Sequence, residues 1–184
     1  MRRYLRGAMA MGILLVQGCG AVSKNTLAET KALDELVVSK RFEIESDWAL
    51  PLATNSLNSI ANAGLLPPGS SANRISLVGN PNYLKVQGDS ISAYLPYFGE
   101  QQMGAGYNNE GIAVQFKGVP VSYEVVKHQN RQRYEINFVI RNKTETYTVN
   151  LLLYPKKASV INVISTHRFM IRYEGRVGPL SKIK

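Results

Sequence analysis

The sequence predicts a mainly β protein, an antiparallel meander curled into an open barrel or a sandwich, with one N-terminal amphipathic helix. Apolar and polar side chains alternate with a period of two over most of the chain after position 41, and hairpin-length turn signals recur about every dozen residues. One stretch before position 41 has the period of an α-helix instead. The 184 residues, 45% of them hydrophobic, suit one well-buried domain.

The first eighteen residues are expected to be a lipoprotein signal peptide. Three arginines near the start precede the apolar run Ala8 to Val16. That run is too short to cross a bilayer, which takes about 20 residues, and it has the length of the apolar core of a secretory signal. Val16-Gln17-Gly18-Cys19, which contains the single cysteine of the chain, resembles a bacterial lipobox. The resemblance implies that the chain is cut before Cys19 and that the Cys19 thiol is lipidated.

Lipidation of Cys19 implies a protein of the cell envelope that is anchored to the outer membrane. The segment Ser23-Lys24-Asn25, shortly after the cysteine, carries no acidic cluster of the kind that directs some lipoproteins to the cell surface, which favours the periplasmic side. We therefore expect a signal peptide at 1–18, a tether at 19–25 and a single β-rich domain at 26–184. Two alternatives stay open: a buried N-terminal helix instead of the signal, and a spare thiol or a soluble secreted product instead of the anchor.

The net charge of the full sequence is +9, and the surplus outside the signal gathers near the C-terminus at Arg168, Arg172, Arg176, Lys182 and Lys184. A basic surface favours anionic lipid headgroups or an acidic partner, although a solvated basic face is the simpler interpretation. Nucleic acid is not an expected ligand of an exported, anchored protein. The expected partners are the membrane, through the anchor, and an envelope protein or an apolar small molecule.

The helix is predicted to begin after Thr26. Thr26 and Glu29 have the spacing of a capping box. A narrow apolar stripe follows up to about Lys40 and should pack on the sheet; it consists of Leu33, Leu36 and Val37.

A long segment at 54–73 separates the first strand from the others. It is rich in Asn, Ser, Gly and Pro and too long for an ordinary connector. We expect a packed surface loop or a mobile flap, in which Leu57 and Ile60 hint at one helical turn.

The strands form a meander whose faces differ in polarity, as in a sheet with one buried side. Leu151-Leu152-Leu153 and Val160-Ile161 are apolar on both faces, which predicts that the middle of the sheet is covered twice. The alternating positions that define the strands are Phe42 and Ile44; Ile75 and Leu77; Leu84 and Val86; Ile91, Ala93 and Leu95; Val114 and Phe116; Tyr123 and Val125; Tyr134, Ile136, Phe138 and Ile140; Tyr147, Val149, Leu151 and Leu153; Val160, Asn162 and Ile164; and Phe169, Ile171 and Tyr173.

Five short segments occur in a characteristic order: RFEIESD at 41–47, GNPNYL at 79–84, LPYFG at 95–99, GIAVQFKG at 111–118 and IRYEG at 171–175. Together they resemble a family of bacterial envelope proteins classed as domain of unknown function family 4251. The likeness extends from about Leu33 to Val177, and LPYFG followed by glycines is its most specific part. It implies a lipoprotein signal ahead of a β-rich domain, and it implies no activity.

No catalytic constellation is recognisable in the sequence, so we expect no enzyme, no cofactor and no metal site. The two histidines, His128 in a polar hairpin loop and His167 at a strand entry, are expected to be solvated or structural. No serine lies in a G-x-S-x-G elbow, and no H-E-x-x-H or C-x-x-C spacing is present. A hydrolase is the less favoured alternative, and its acids would be Glu100 and Glu110, which flank the glycine-rich loop.

The stretch AYLPYFGEQQMGAGY at 93–107 is the candidate contact region. In one hypothesis the curled sheet holds an apolar ligand, and the 97–110 loop gates the cavity. Tyr97, Phe98, Met103 and Tyr107 would then touch the ligand or partner, because aromatic and Met side chains supply adaptable apolar surface. In the other hypothesis the core is filled by its own side chains, and the protein is a non-catalytic binding or structural module. The same stretch then plugs aromatic rings into the core.

Overall fold

The computed structural model describes residues 26–100 and 113–181. Its first element, helix α1 (Leu27–Ser39), begins with the predicted capping box: the Glu29 amide donates to Thr26 Oγ1 at 3.2 Å, and the Thr26 amide donates to Glu29 Oε2 at 2.8 Å. The helix ends at Lys40, whose φ of 48° is left-handed and stops the helix. The predicted stripe is confirmed, since Leu33 and Val37 are buried and Leu36 packs partly against the core.

The strands follow α1, interrupted by one short second helix. Their bounds are β1 (Arg41–Pro51), α2 (Asn55–Asn62), β2 (Ile75–Ser76), β3 (Tyr83–Gln87), β4 (Ser90–Pro96), β5 (Ala113–Gly118), β6 (Ser122–His128), β7 (Arg133–Asn142), β8 (Glu145–Leu153), β9 (Ala158–Ser165) and β10 (Ile171–Pro179). The hint of a helical turn at Leu57 is confirmed as α2, in which Leu57 is buried and Ile60 is 40% exposed.

All these strands belong to one antiparallel sheet, with the order β5-β4-β3-β1-β10-β9-β8-β7-β6 and with β2 paired to β1. The sheet curls into an open half-barrel, so the barrel rather than the sandwich is correct. Phe116 of β5 reaches across the open side to two rings, with centroids 6.0 Å from Phe138 and 5.3 Å from Tyr147. These contacts bring β5 against β7 without pairing the two strands.

The concave face of the half-barrel is lined by the predicted alternating residues. In β7 the inward residues Ile136, Phe138 and Ile140 are each at most 1% exposed, and their outward neighbours are half-buried or exposed. The same alternation continues through β8, where Tyr147, Val149, Leu151 and Leu153 point inward. Burial of these side chains removes a large apolar area from water, worth roughly 25 cal/mol per Å².

Two details of the strand prediction are wrong. In β9 the buried residues are Ser159, Ile161 and Val163, whereas the predicted set of Val160, Asn162 and Ile164 lies on the outward face. The residues on both faces of this strand are largely apolar, so alternation of apolar and polar residues does not identify which face points inward. Phe169 precedes β10 rather than belonging to it.

The half-barrel has two distinct ends. At the helix end, defined by α1, the start of β7 and the turn 154–157, Asp34 of α1 accepts hydrogen bonds from Lys127 Nζ at 2.7 Å and Tyr134 Oη at 2.8 Å. At the loop end, defined by Pro96, Glu145 and Arg168, strand β4 finishes and β8 begins. Within the described residues no helix is both long and apolar enough to cross a membrane.

Candidate functional site

A buried polar group of four side chains occupies the loop end, and we call it the mouth cluster: Tyr97, Glu145, Tyr147 and Arg168. Arg168 Nε donates to Glu145 Oε1 at 2.9 Å, and Arg168 Nη2 donates to Glu145 Oε2 at 3.3 Å. Tyr147 Oη donates to Glu145 Oε2 at 2.6 Å. The guanidinium lies over the Tyr97 ring, 5.2 Å from its centroid. Both carboxylate oxygens are therefore engaged by donors of the same cluster.

The strand alternation explains why these charges are inside. Glu145 is in phase with Tyr147 and Val149 on the concave side of β8. Arg168 lies in the connection between β9 and β10, where the amides of His167 and Arg168 both donate to Ser165 Oγ. This turn directs Arg168 into the barrel, where its side chain is only 7% exposed. The buried carboxylate of Glu145 and the buried guanidinium of Arg168 are stable there because the guanidinium donates the hydrogen bonds that the carboxylate accepts.

Electrostatics fixes the protonation states of the cluster. Burial acts to raise the pKa of Glu145, but hydrogen bonds from Arg168, Ser165 and Tyr147 outweigh it, so this pKa lies below its usual value. Burial, and then the hydrogen bond to Glu145, raise the pKa of Tyr147. Burial also raises the pKa of Tyr97. At neutral pH the cluster is thus an ionised pair beside two neutral phenols.

Tyr97 of this cluster and Tyr173 together hold the chain at the end of β4. Tyr97 Oη lies 3.0 Å from the carbonyl oxygen of Glu100 and 3.3 Å from that of Phe169, and it can donate to either. Tyr173 Oη donates to the Pro96 carbonyl oxygen at 3.0 Å. Pro96 itself lies at the end of its strand, as expected for a residue without an amide hydrogen. The LPYFG segment is therefore fixed to β10 and to the connection that precedes it.

The predicted contact residues have different positions. Tyr97 is 9% exposed and belongs to the core, and Phe98 is partly buried against that core. Met103 and Tyr107 lie outside the described residues, as does Cys19. The predicted plugging of aromatic rings by this stretch agrees with Tyr97 and Phe98.

The two acids proposed for a hydrolase are not seen together. Glu100 is exposed, and its Oε1 accepts a hydrogen bond from Ser56 Oγ of α2 at 2.9 Å. Glu110 lies outside the described residues. The acid of the mouth cluster is instead Glu145, which is buried and was not predicted from the sequence. Its inward phase in β8 is the signal that identifies it.

Neither histidine belongs to the mouth cluster. His128 is half-exposed, with Nε2 2.9 Å from Glu135 Oε2, so it is partly solvated and also has a structural partner. The hydrogen bond from His128 is the main cause of the lowered pKa of Glu135. His167 is half-buried beside Ser165. The described part of the chain contains no group of three His, Cys, Asp or Glu side chains placed to hold a metal ion.

A row of amides crosses the convex face of the sheet and was also missed from the sequence. Asn162 Nδ2 donates to Asn150 Oδ1 at 3.0 Å, and Asn150 Nδ2 donates to Asn137 Oδ1 at 2.7 Å. Arg172 Nε extends the row by donating to Asn162 Oδ1 at 3.2 Å. These residues are direct partners across β7, β8, β9 and β10. An asparagine at the central polar position of three consecutive strands is the sequence signal.

Three of the characteristic segments meet at an irregularity in β1. The register with β10 shifts between Ser46 and Trp48. Asn82 of the GNPNYL segment is buried there, accepting from the Ser46 amide at 2.8 Å and donating to the Ser46 carbonyl oxygen at 2.9 Å. Gly175 of IRYEG lies opposite, where a Cβ would be 2.0 Å from the Glu45 carbonyl oxygen. These positions therefore have a structural explanation.

The basic residues near the C-terminus do not form one patch. Arg168 is inside the mouth cluster. Arg172 and Arg176 are exposed on β10, and Arg176 Nε lies 3.4 Å from the Asp47 carboxylate. Lys182 and Lys184 lie outside the described residues.

Comparison with curated proteins gives no significant match. Among solved structures, the chain is similar to the crystal structure of a DUF4251 family protein from Bacteroides eggerthii DSM 20697 at 1.95 Å resolution. The two share 10% sequence identity, and the likeness covers 83% of this chain and 88% of that chain with a TM-score of 0.56. At this identity the comparison supports the fold alone.

A protein-family comparison gives the stronger result. The family described as Domain of unknown function (DUF4251) matches residues 24–177. The matched range begins just before α1, ends within β10 and includes the mouth cluster and the irregularity of β1. The family that the five segments resemble is thereby confirmed: this chain belongs to the DUF4251 family.

Proposed function

We propose that the protein is a non-catalytic binding or structural module of the bacterial envelope, held on the outer membrane by lipid on Cys19 and facing the periplasm. The non-catalytic part of this proposal is supported by the interior of the half-barrel, which the protein's own side chains fill. Its large residues, including Phe42, Phe116, Phe138, Tyr147 and Tyr173, are at most 2% exposed. Protein interiors packed in this way are as dense as organic crystals, so binding is assigned to the outer surface.

The mouth cluster supports the same conclusion. A general acid or base works best with a pKa near the working pH. Glu145 instead has a lowered pKa, and both of its oxygens accept hydrogen bonds from Arg168 or Tyr147. Such a carboxylate has little capacity to exchange protons with a substrate.

The anchor is proposed from the sequence. The short apolar run at 8–16 and the lipobox-like Val16–Cys19 motif are followed by only six residues before Thr26, where the described fold begins. A single acyl chain gives marginal membrane binding, whereas several chains give stable anchoring. Acylation at Cys19 would therefore keep the domain at the membrane surface.

The test of the anchor is metabolic labelling with radioactive palmitate combined with membrane fractionation. The wild-type chain should incorporate label and stay with the membrane. Cys19→Ala should lose the label and move to the soluble fraction, whereas Ser23→Ala, a substitution in the same tether, should behave as wild type. Equal labelling of Cys19→Ala and wild type, or an unlabelled wild-type chain, would contradict the anchor.

A carrier of an apolar ligand, gated by the 97–110 loop, is the alternative. Tyr97 and Phe98, which would touch the ligand, already pack against the core. Native mass spectrometry of the protein from cells distinguishes the two functions. A module should give the mass of the chain with its modifications, whereas an additional lipid-sized mass that dissociates would support the carrier. For the hydrolase alternative, Glu100→Gln should remove an activity at unchanged stability; the module predicts no such loss.

A further inference from the structure

We propose that the helix end of the half-barrel lies against an anionic lipid surface. The contact would be made by a tether face, which we define as Leu27, Lys31, Lys156 and Lys157. The inference rests on the proposed anchor at Cys19 and deepens it by naming the face of the domain that meets the membrane.

The length of the tether limits which end of the domain can approach the bilayer. Six residues separate Cys19 from Thr26, and the seven extended steps between these two residues reach at most about 25 Å. Strand β1 starts beside the end of α1 and has 11 residues, so it extends away for about 36 Å at roughly 3.3 Å per residue. The start of α1 is thus held near the membrane, and the mouth cluster lies farther along the half-barrel.

The shape of the helix end suits an interface between water and lipid. Leu27, the first residue of α1, is 92% exposed. A groove of about 470 Å³, whose lining on α1 starts at Ala28, separates α1 from the turn 154–157. Apolar side chains of Ala32, Leu36 and Pro155 are among those that line the groove. Exposed apolar side chains beside a short lipid tether are favourable when they contact the boundary of a bilayer.

The charge of this end is complementary to anionic headgroups. Lys156 and Lys157 are exposed and line the groove. Lys157 also borders an adjoining groove, which is lined by Arg41 and Glu35 and shares Ala32 and Leu36 with the first. Two acids lie on the same helix: Glu29, which lines the groove and accepts a hydrogen bond from the Thr26 amide, and Glu35, which is 4.0 Å from Lys31. The cations Lys31, Arg41, Lys156 and Lys157 outnumber them.

Three more cations flank the described domain in the sequence. Lys24 lies two residues before Thr26, and Lys182 and Lys184 follow Ser181, whose amide and hydroxyl both bond Glu43 near the start of β1. An acidic protein surface would match the lysines alone. The exposed Leu27 and the short reach from Cys19 favour the bilayer as the partner.

The experiment uses the acylated protein purified from cells and reconstituted in two kinds of vesicles, phosphatidylcholine alone and phosphatidylcholine with phosphatidylglycerol. Lysines are acetylated with a limiting reagent, and mass spectrometry gives the modification rate at each site. We expect Lys31, Lys156 and Lys157 to react several-fold more slowly on the anionic vesicles only. Lys143, in the turn between β7 and β8 at the loop end, is the internal control and should react equally on both. Raising the salt from about 0.1 M to about 1 M shortens the screening length from about 10 Å to about 3 Å and should remove the protection.

Paired variants test whether the lysines cause the contact. Lys156→Glu/Lys157→Glu should abolish the protection of Lys31, since each basic residue at an anionic surface favours the bound state about fivefold. Arg141→Glu/Lys143→Glu makes the same change of charge at the loop end and should leave Lys31 protected. Equal acetylation of Lys156, Lys157 and Lys143 on both vesicles overturns the proposal. So does protection that appears only when envelope proteins are added.

The same material also shows whether Cys19 is acylated, and this result is independent of whether the tether face contacts lipid. An intact mass without acyl groups at Cys19 contradicts the proposed function. The same unacylated chain can then be sedimented with the two kinds of vesicles. Preferential sedimentation with the anionic vesicles, lost in Lys156→Glu/Lys157→Glu, would retain the tether face as a lipid-binding surface. Equal sedimentation with both would overturn it as well.

Discussion

Arg168 and Glu145 form a bidentate ion pair inside the half-barrel, with Nε and Oε1 2.9 Å apart and with side chains that are 7% and 11% exposed. The two residues lie 23 positions apart at the loop end, Glu145 at the start of β8 and Arg168 in the connection between β9 and β10. Their pairing joins the start of β8 to the connection between β9 and β10, and the Tyr97 ring packs over the guanidinium. The characteristic LPYFG segment is thus part of the same polar structure.

Breaking this pair on one side should be costly. Arg168→Met leaves the Glu145 carboxylate buried without its main partner, and removal of one member of a buried ion pair typically costs about 3–5 kcal/mol. We expect a loss of this size in the free energy of unfolding, measured by urea denaturation. Asp89→Asn, which removes the exposed partner of Lys40, is the control and should cost less than about 1 kcal/mol.

A double variant distinguishes a charge effect from a packing effect. Glu145→Gln/Arg168→Met removes both charges and keeps an acceptor for Tyr147. The double variant should be more stable than the sum of the two single losses predicts, by about 1 kcal/mol or more, since contacting residues are coupled on this scale. Strict additivity would show that the pair contributes no specific stability.

Acid should weaken the fold through the same carboxylate. The pKa of Glu145 in the folded protein lies below its usual value of 4.5, so the folded state binds this proton less readily than the unfolded chain does. The stability from Glu145 is therefore complete above about pH 4.5 and is lost as the pH falls through the lower pKa of the folded state. The pKa values of Asp34, Glu43 and Glu135 are lowered as well and act in the same direction.

Urea denaturation at a series of pH values measures this dependence. Wild type should lose stability progressively below about pH 4.5. Glu145→Gln should be less stable than wild type at neutral pH and should have a shallower decline on acidification. Parallel curves for the two proteins would rule out a contribution of Glu145 to the pH dependence.

The sequence predicted the helices and strands whose short-range patterns agree with the burial that the fold gives them. The capping box at Thr26 and the alternation of β7 each follow from short-range chemistry, and both are confirmed. The inner face of β9 was not predictable in this way, because Val160 and Ile161 satisfy either phase equally well. Only the pairing of β9 with β8 and β10 decides that Ile161 is inside.

Only one member of the ion pair in the mouth cluster could be predicted from the sequence. Glu145 has the inward phase of its strand, so its burial follows from alternation. Its partner Arg168 lies in a connection without periodicity, and the sequence places it among other basic residues near the C-terminus. The turn at Ser165 that directs Arg168 inward depends on tertiary structure. The pairing of distant charges is a property of the fold rather than of either segment.

Tyr97 and Phe98 should differ sharply in their importance for stability. Tyr97 is 9% exposed and contacts the Arg168 guanidinium, whereas Phe98 is only partly buried. Tyr97→Ala should cost about 3–5 kcal/mol in urea denaturation, as large-to-small changes of core aromatics do. Phe98→Ala should cost clearly less. Equal losses, or a small loss for Tyr97→Ala, would show that this segment does not plug the core.

Gly175 should be intolerant of any side chain, because β1 approaches it closely. A Cβ at this position would be 2.0 Å from the Glu45 carbonyl oxygen and 2.5 Å from Ser46 Cα, and both are backbone atoms that can move only if the irregularity of β1 moves with them. Gly175→Ala should therefore destabilise the fold by at least the 1–3 kcal/mol or so that is typical of overpacking. Gly178→Ala is a matched control on the same strand, since a Cβ there meets nothing within 4 Å.

The comparison of Gly175→Ala with Gly178→Ala separates the steric effect of the close contact with β1 from the effect of the conformational freedom of glycine. Alanine reduces the entropy of the unfolded chain equally at both positions, and neither glycine has a left-handed φ. Gly178→Ala should thus leave the midpoint of urea denaturation nearly unchanged or raise it slightly, whereas Gly175→Ala should lower it. A third variant, Asn82→Ala, should also lower the midpoint, because Asn82 bonds both backbone groups of Ser46 at the same place. If Gly175→Ala were as stable as Gly178→Ala, the contact between β1 and β10 at this irregularity would have to be looser than the distances indicate.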